Sequence, residues 1–212
     1  MLLQVAIDQP SDLYLVVGLA EVADIIEIGT RVIKSCGLGV LAEVRATAPG
    51  VLLLADMKTA DGGKLETELA AAAGANLTTV LACAADATLE AVAQTAAARG
   101  LGVLVDTLGD DRVWRRPAVQ SLAGTALLLL HTPLDNQTGT ASFGASAVAA
   151  RRAGFRIAVA GGVGPAHLDE IAASGAEVVI VGGAITRAAN PVETARGLRT
   201  HLPDPGMGWF GT

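Results

Sequence analysis

The sequence predicts an α/β protein of one domain, a (β/α)8 TIM barrel, and three observations point there. Short apolar runs recur at near-regular intervals along the 212 residues, and there are eight of them. Each run is continuous rather than alternating, as expected of strands covered on both faces of a parallel sheet. Ala-rich segments closed by glycine fill the intervals, as helices with glycine C-caps would. Strand–helix units joined by right-handed crossovers close into a barrel. A doubly wound open sheet also alternates strands and helices and is the competing architecture, but eight even units in one domain match the barrel better.

The expected strands are residues 2–7, 25–28, 51–55, 77–81, 102–105, 126–130, 156–160 and 178–181. Helices are expected over 64–73, 87–99, 141–153 and 165–173, with Gly74, Gly100, Gly154 and Gly175 placed where helix C-caps belong. Only the segment 131–142 is long enough to serve as a mobile lid. The barrel is expected to occupy residues 1–202. The Gly- and Pro-rich tail 203–212, with Trp209 and Phe210, reads either as frayed chain or as a segment docking on a partner subunit.

With 51% hydrophobic and 17% charged residues, the chain has the make-up of a well-cored globular domain. Cys36 and Cys83 stand in unrelated contexts with no metal-ligand spacing, so neither zinc nor a disulfide is indicated and a reducing cytoplasm is expected. The opening MLLQVAI lacks the basic start of a signal peptide, and no window approaches the roughly 20 apolar residues of a membrane span. A net charge of -6 with scattered Lys and Arg excludes nucleic acid as an expected partner.

Chemistry collects at the ends of the runs. Asp8 closes the first, Glu27 lies near the end of the second, and Asp56, Asp106 and His131 close the third, fifth and sixth. In a barrel those ends converge on one mouth. The densest group is Asp56-Met57-Lys58-Thr59-Ala60-Asp61, where a period of two puts Asp56 and Lys58 on one side of an extended chain and Asp61 in the following loop. An ion pair sealing the mouth would use the same residues. Glu27 and Asp56, on neighbouring strands, are hard oxygen donors suited to Mg2+. Lys58 could act as a neutral Schiff-base nucleophile or as a cation; flanking carboxylates favour the cation, stabilising an oxyanion. His131 is either a satisfied core histidine or a proton-transfer group, and a place beside carboxylates favours the second. Gly161-Gly162 after the seventh run and Gly182-Gly183 after the eighth fall where such barrels bind phosphate through backbone N–H groups, so a small phosphorylated ligand is expected.

In this order these residues resemble the orotidine 5'-monophosphate decarboxylase suprafamily, and within it the hexulose-6-phosphate synthases. The resemblance runs from Leu3 to about Leu202 and is carried by LQVAID (3–8), DIIEIGT (24–30), ADMKTADGGKLE (55–66), TVLACAADAT (79–88), HTPLDNQTG (131–139), AVAGGV (158–163) and VIVGGAIT (179–186). Its specific part is the DxKxxD element Asp56, Lys58 and Asp61.

The resemblance implies Mg2+-dependent addition of formaldehyde to D-ribulose 5-phosphate through an enediolate. Glu27 and Asp56 would bind the metal, Lys58 would stabilise the enediolate, and His131 with Asp8, Asp61 and Asp106 would handle protons and hydroxyls. It also implies a homodimer in which Asp61 serves the neighbouring site. The related 3-keto-L-gulonate-6-phosphate decarboxylases are the alternative; they usually carry Glu at the place of Asp106 and Arg at those of Leu134 and Gly183. A sugar-phosphate binder without activity is a further alternative. The chain departs from the synthase pattern at Ser35-Cys36, at Thr107-Leu108 and at Pro133.

Overall fold

The computed structural model describes residues 1–110, 112–137 and 144–204. Eight parallel strands, β1 (Leu2–Ile7), β2 (Ile25–Ile28), β3 (Leu52–Thr59), β4 (Leu77–Leu81), β5 (Gly102–Asp106), β6 (Leu127–His131), β7 (Arg156–Ala160) and β8 (Val178–Val181), pair in sequence order, and β8 returns to β1 to close the ring. The barrel is therefore observed and the open sheet excluded. Closure is made by pairs such as Leu2↔Val178 and Val5↔Val181.

The strands read as continuous apolar runs because both of their faces are buried, yet a period of two still separates the faces. In β1, Leu3, Val5 and Ile7 belong to the layer under the helices, while Leu2 and Ala6 belong to the barrel interior. The interior layer continues through Ile25, Leu54, Leu77, Leu104, Leu127, Leu129, Ala158, Val178 and Ile180. Each Leu, Ile or Val side chain of this layer, fully buried, contributes about 1.5–3 kcal/mol. Two residues beyond these positions the same inward phase arrives at Asp8, Glu27, Asp56, Thr79, Asp106 and His131. The apolar lower layers thus fill the barrel and leave its upper rim to polar groups.

The expected helices are found at Gly63–Ala72, Asp86–Arg99 and Leu168–Ser174, and that expected over 141–153 at Gly144–Arg152, its first three residues lying outside the described ones. Gly74, Gly100, Gly154 and Gly175 all take positive φ, as C-capping glycines do. The helical unit after β2 is split into Thr30–Cys36 and Gly39–Thr47, and a final helix, Pro191–His201, packs against the short helices Val16–Leu19 and Gly183–Thr186. The unit between β5 and β6 is reduced to a 3-10 turn, Val113–Arg115, and one α-turn, Pro117–Gln120.

Of the expected lid, Leu134–Asn136 forms a 3-10 turn and residues 138–142 lie outside the described ones, as does the tail from residue 205 onward. Among the described residues no helix is long and apolar enough to cross a membrane.

Candidate active site

Every inward rim residue sits at the carboxyl end of its strand, and most are joined in one network. Asp106, with no side-chain exposure, lies at its centre. It accepts from Lys58 Nζ at 2.8 Å, from His131 Nδ1 at 3.0 Å and from the Leu108 amide at 2.8 Å. An ionised carboxylate only accepts, so this contact places a proton on Nδ1, and Nε2 is the ring nitrogen left to exchange a proton with a ligand. Lys58 Nζ also lies 3.2 Å from Asp56. Asp56 in turn accepts from Thr79 Oγ1 at 2.8 Å and from Thr30 Oγ1 at 2.7 Å.

Glu27 sits behind this network, 8% exposed, and accepts from Gln4 Nε2 at 2.5 Å. Asp8 lies at the open side of the mouth, wedged between two turns. A Cβ placed on Gly29 would stand 2.3 Å from Asp8 Oδ1, and one on Gly182 would stand 3.1 Å from Asp8 Oδ2. Glycine at those two positions is what lets the carboxylate in.

The electrostatics follow from this crowding. Burial, then the neighbouring Asp56 and Asp8 carboxylates, push Glu27 up to about 8. Partial burial and Asp56 raise Asp8 as well, though its side chain keeps contact with solvent through the mouth. Burial opposes the charge of Lys58, but Asp56 and Asp106 outweigh it and hold the ammonium above the ordinary lysine range. Burial would likewise raise Asp106, yet the hydrogen bond and charge of His131, followed by Lys58, keep it below the ordinary carboxylate range.

The expected geometry of the DxKxxD element is corrected in one respect. Asp56 and Lys58 do face one another, but not through a regular period of two: the β3–β4 register shifts between Ala55 and Thr59, and Lys58 takes φ 46. A non-glycine residue there costs on the order of 1–2 kcal/mol, and bulges of this kind re-aim side chains beside active sites. Asp61 does not join the cluster of its own chain; it is exposed, and its carboxylate accepts the Gly62 amide at 2.8 Å.

The two glycine turns flank the same mouth. Gly161 and Gly162 take φ 95 and φ 72, and Gly161 lies so close to Thr132, next to His131, that an added Cβ would stand 2.1 Å from the Thr132 carbonyl oxygen. Gly182 adjoins Asp8, and Gly183 opens the short helix Gly183–Thr186. The guanidinium of Arg187 lies across Gly183, its nearest nitrogen 2.3 Å from where a Cβ would be.

Among the described residues no group of three His, Cys, Asp or Glu forms a ready metal site. The donor chemistry nevertheless suits Mg2+, which takes one or two carboxylates and fills its remaining positions with water and substrate. Glu27 and Asp56 are hard donors whose mutual repulsion a dication would relieve.

Gln4, Thr30, Thr79 and Arg187 were not singled out by the sequence. Gln4 and Thr79 carry a signal in hindsight, each standing in the inward phase of an otherwise apolar run; Thr30 and Arg187 carry none.

A barrel whose ionisable side chains gather on one rim belongs to the class of TIM-barrel proteins that work at the carboxyl ends of their strands. Within it, this chain belongs to the orotidine 5'-phosphate decarboxylase / HUMPS family, whose pattern matches residues 1–198. It is 40% identical over 207 residues to 3-hexulose-6-phosphate synthase of Mycobacterium gastri, a match covering 95% of this chain and 100% of that protein. The crystal structure of 3-hexulose-6-phosphate synthase from Salmonella typhimurium is similar with a TM-score of 0.87 at 31% identity, covering 95% of this chain and 98% of that one. That of 3-keto-L-gulonate-6-phosphate decarboxylase from Vibrio cholerae gives 0.80 at 25%, covering 94% and 96%.

Proposed function

We propose that this chain, a carbon–carbon lyase, is a 3-hexulose-6-phosphate synthase that adds formaldehyde to D-ribulose 5-phosphate through a 1,2-enediolate. The observation that carries the reading is the Asp106-centred network, which sets a permanent cation, Lys58, and an imidazole with a free basic nitrogen, His131, on the same carboxylate.

The phosphate is held by backbone amides of the turns at Gly161-Gly162 and Gly182-Gly183. His131 removes a proton from C1, and Lys58 stabilises the negative charge that develops on the enediolate oxygen. C1 then forms its bond to the formaldehyde carbon, and the resulting alkoxide takes up a proton, with Asp8 and Asp106 orienting hydroxyls. Glu27 and Asp56 are the residues to hold Mg2+, which when bound supplies Lewis-acid stabilisation of negative charge on substrate oxygens.

Asp61 is assigned to the neighbouring site of a homodimer. Its exposure supports this, as do Leu65 and Leu69, 62% and 44% exposed and one turn apart on the helix that follows it. A cytoplasmic location accords with the two free cysteines.

The test is consumption of formaldehyde by the pure protein with ribulose 5-phosphate and Mg2+, run beside solvent deuterium exchange at C1. Exchange with formaldehyde consumption is the expected result. Absence of both, in a protein whose melting temperature rises with ribulose 5-phosphate, would leave a binder instead. Release of carbon dioxide from 3-keto-L-gulonate 6-phosphate, without aldol activity, would move the assignment to the decarboxylases.

A further inference from the structure

The bulge in β3 has a keystone on the neighbouring strand. Ala55 pairs with Thr78 and Thr59 with Val80, so residues 56–58 all stand against Thr79. Both ends of the bulge close on that one side chain. The Thr79 hydroxyl accepts the Lys58 amide proton at 2.8 Å and donates its own proton to Asp56 Oδ1, also at 2.8 Å. A hydroxyl has one proton to give and lone pairs to receive with, so the two bonds use it in both capacities without conflict.

The ladder alone does not hold Lys58 in its positive-φ conformation, because the register is broken there. At 1% exposure, no solvent replaces the hydroxyl if it is lost.

We infer that Thr79 is a positioning residue, whose hydroxyl locks the bulge so that the Lys58 ammonium meets Asp106 and the Asp56 carboxylate keeps a single orientation. The role of Lys58 and Asp56 in the reaction rests on the function proposed above; the local geometry does not. A purely space-filling threonine predicts otherwise, and two substitutions separate the cases. Thr79→Val keeps the shape and removes the hydroxyl. Thr79→Ser removes a methyl and keeps it.

The measurement has two arms on the same proteins. In the first, C1 deuterium exchange of ribulose 5-phosphate is followed as kcat and KM. Thr79→Val is expected to lose about 100-fold in kcat, the scale of a misplacement near 1 Å, with KM within about threefold, while Thr79→Ser stays within about fivefold of wild type in both. In the second, hydrogen exchange of the Lys58 backbone amide is read by NMR in the substrate-free and metal-free protein. That amide is expected to be protected in wild type and in Thr79→Ser, and to exchange at least about tenfold faster in Thr79→Val.

An unprotected Lys58 amide in wild type overturns the inference without any variant, so a valine protein that fails to fold does not shelter it. So does a serine variant as impaired as the valine variant, or a valine variant with full kcat. If wild type shows no C1 exchange, the proposed function falls, and the amide measurement alone decides the positioning.

Discussion

Replacing Lys58 by methionine keeps an unbranched side chain only one atom shorter and removes its charge, which makes K58M the sharpest probe of the network. In wild type the ammonium lies 2.8 Å from Asp106 and 3.2 Å from Asp56. At an effective dielectric of about 20, those separations correspond to attractions of about 6 and 5 kcal/mol. Desolvation of the three groups takes back more than half, which leaves the about 3–5 kcal/mol typical of removing one member of a buried ion pair.

For a domain of this size that is a fall in Tm of about 6–20 °C. The pH dependence gives a second handle. Asp106 is held below its ordinary range in wild type, so its stabilisation is present at neutral pH and is lost as pH falls through the folded-state value. In K58M the unbalanced carboxylates stop costing anything once protonated, so the Tm gap between the two proteins narrows below about pH 4. The assay is thermal melting of both proteins from neutral to acid pH, with C1 exchange measured at neutral pH. A K58M protein that melts within about 2 °C of wild type at neutral pH, or that retains exchange, would refute the account of this network.

Three further outcomes are expected. Glu27 is raised to about 8 in the metal-free protein, so the stability it lends is fully present below its ordinary 4.5 and is lost as pH rises through about 8. Melting in EDTA should therefore weaken from about pH 5 to 8 and be restored by millimolar Mg2+ most strongly at the alkaline end; a flat profile without metal speaks against the crowded carboxylates. Gly161→Ala forces a methyl to within 2.1 Å of the Thr132 carbonyl oxygen at φ 95, so it should lower Tm and raise KM for ribulose 5-phosphate about tenfold or more, and unchanged kinetics would remove that turn from the phosphate site. Arg187→Gln should raise KM by about tenfold with little change in kcat if the guanidinium over Gly183 contacts the phosphate, a shift read directly from initial rates.

Strand positions were legible in the sequence because a parallel sheet buried on both sides leaves unbroken apolar runs, and the glycines after the helices mark their ends by a conformation few other residues adopt. Asp8, Glu27, Asp56, Asp106 and His131 were legible because a charged residue at the end of such a run must face the one polar rim available. The neutral partners were hidden. Thr79 within LTTVL and Gln4 within LLQVAI look like ordinary strand residues, and their purpose appears only when the ladder shows what stands opposite them. The bulge at Lys58 is invisible for the same reason, since register between strands is a property of two segments and not of either alone.

Asp8 is held between turns that follow the second strand and the eighth, so its surroundings are complete only when both ends of the barrel are in place. A protein truncated before residue 178 would lack the wall that Gly182 sets against the Asp8 carboxylate. The rim is thereby made conditional on completed assembly: the segment that zips the cylinder shut also supplies one wall of the Asp8 carboxylate.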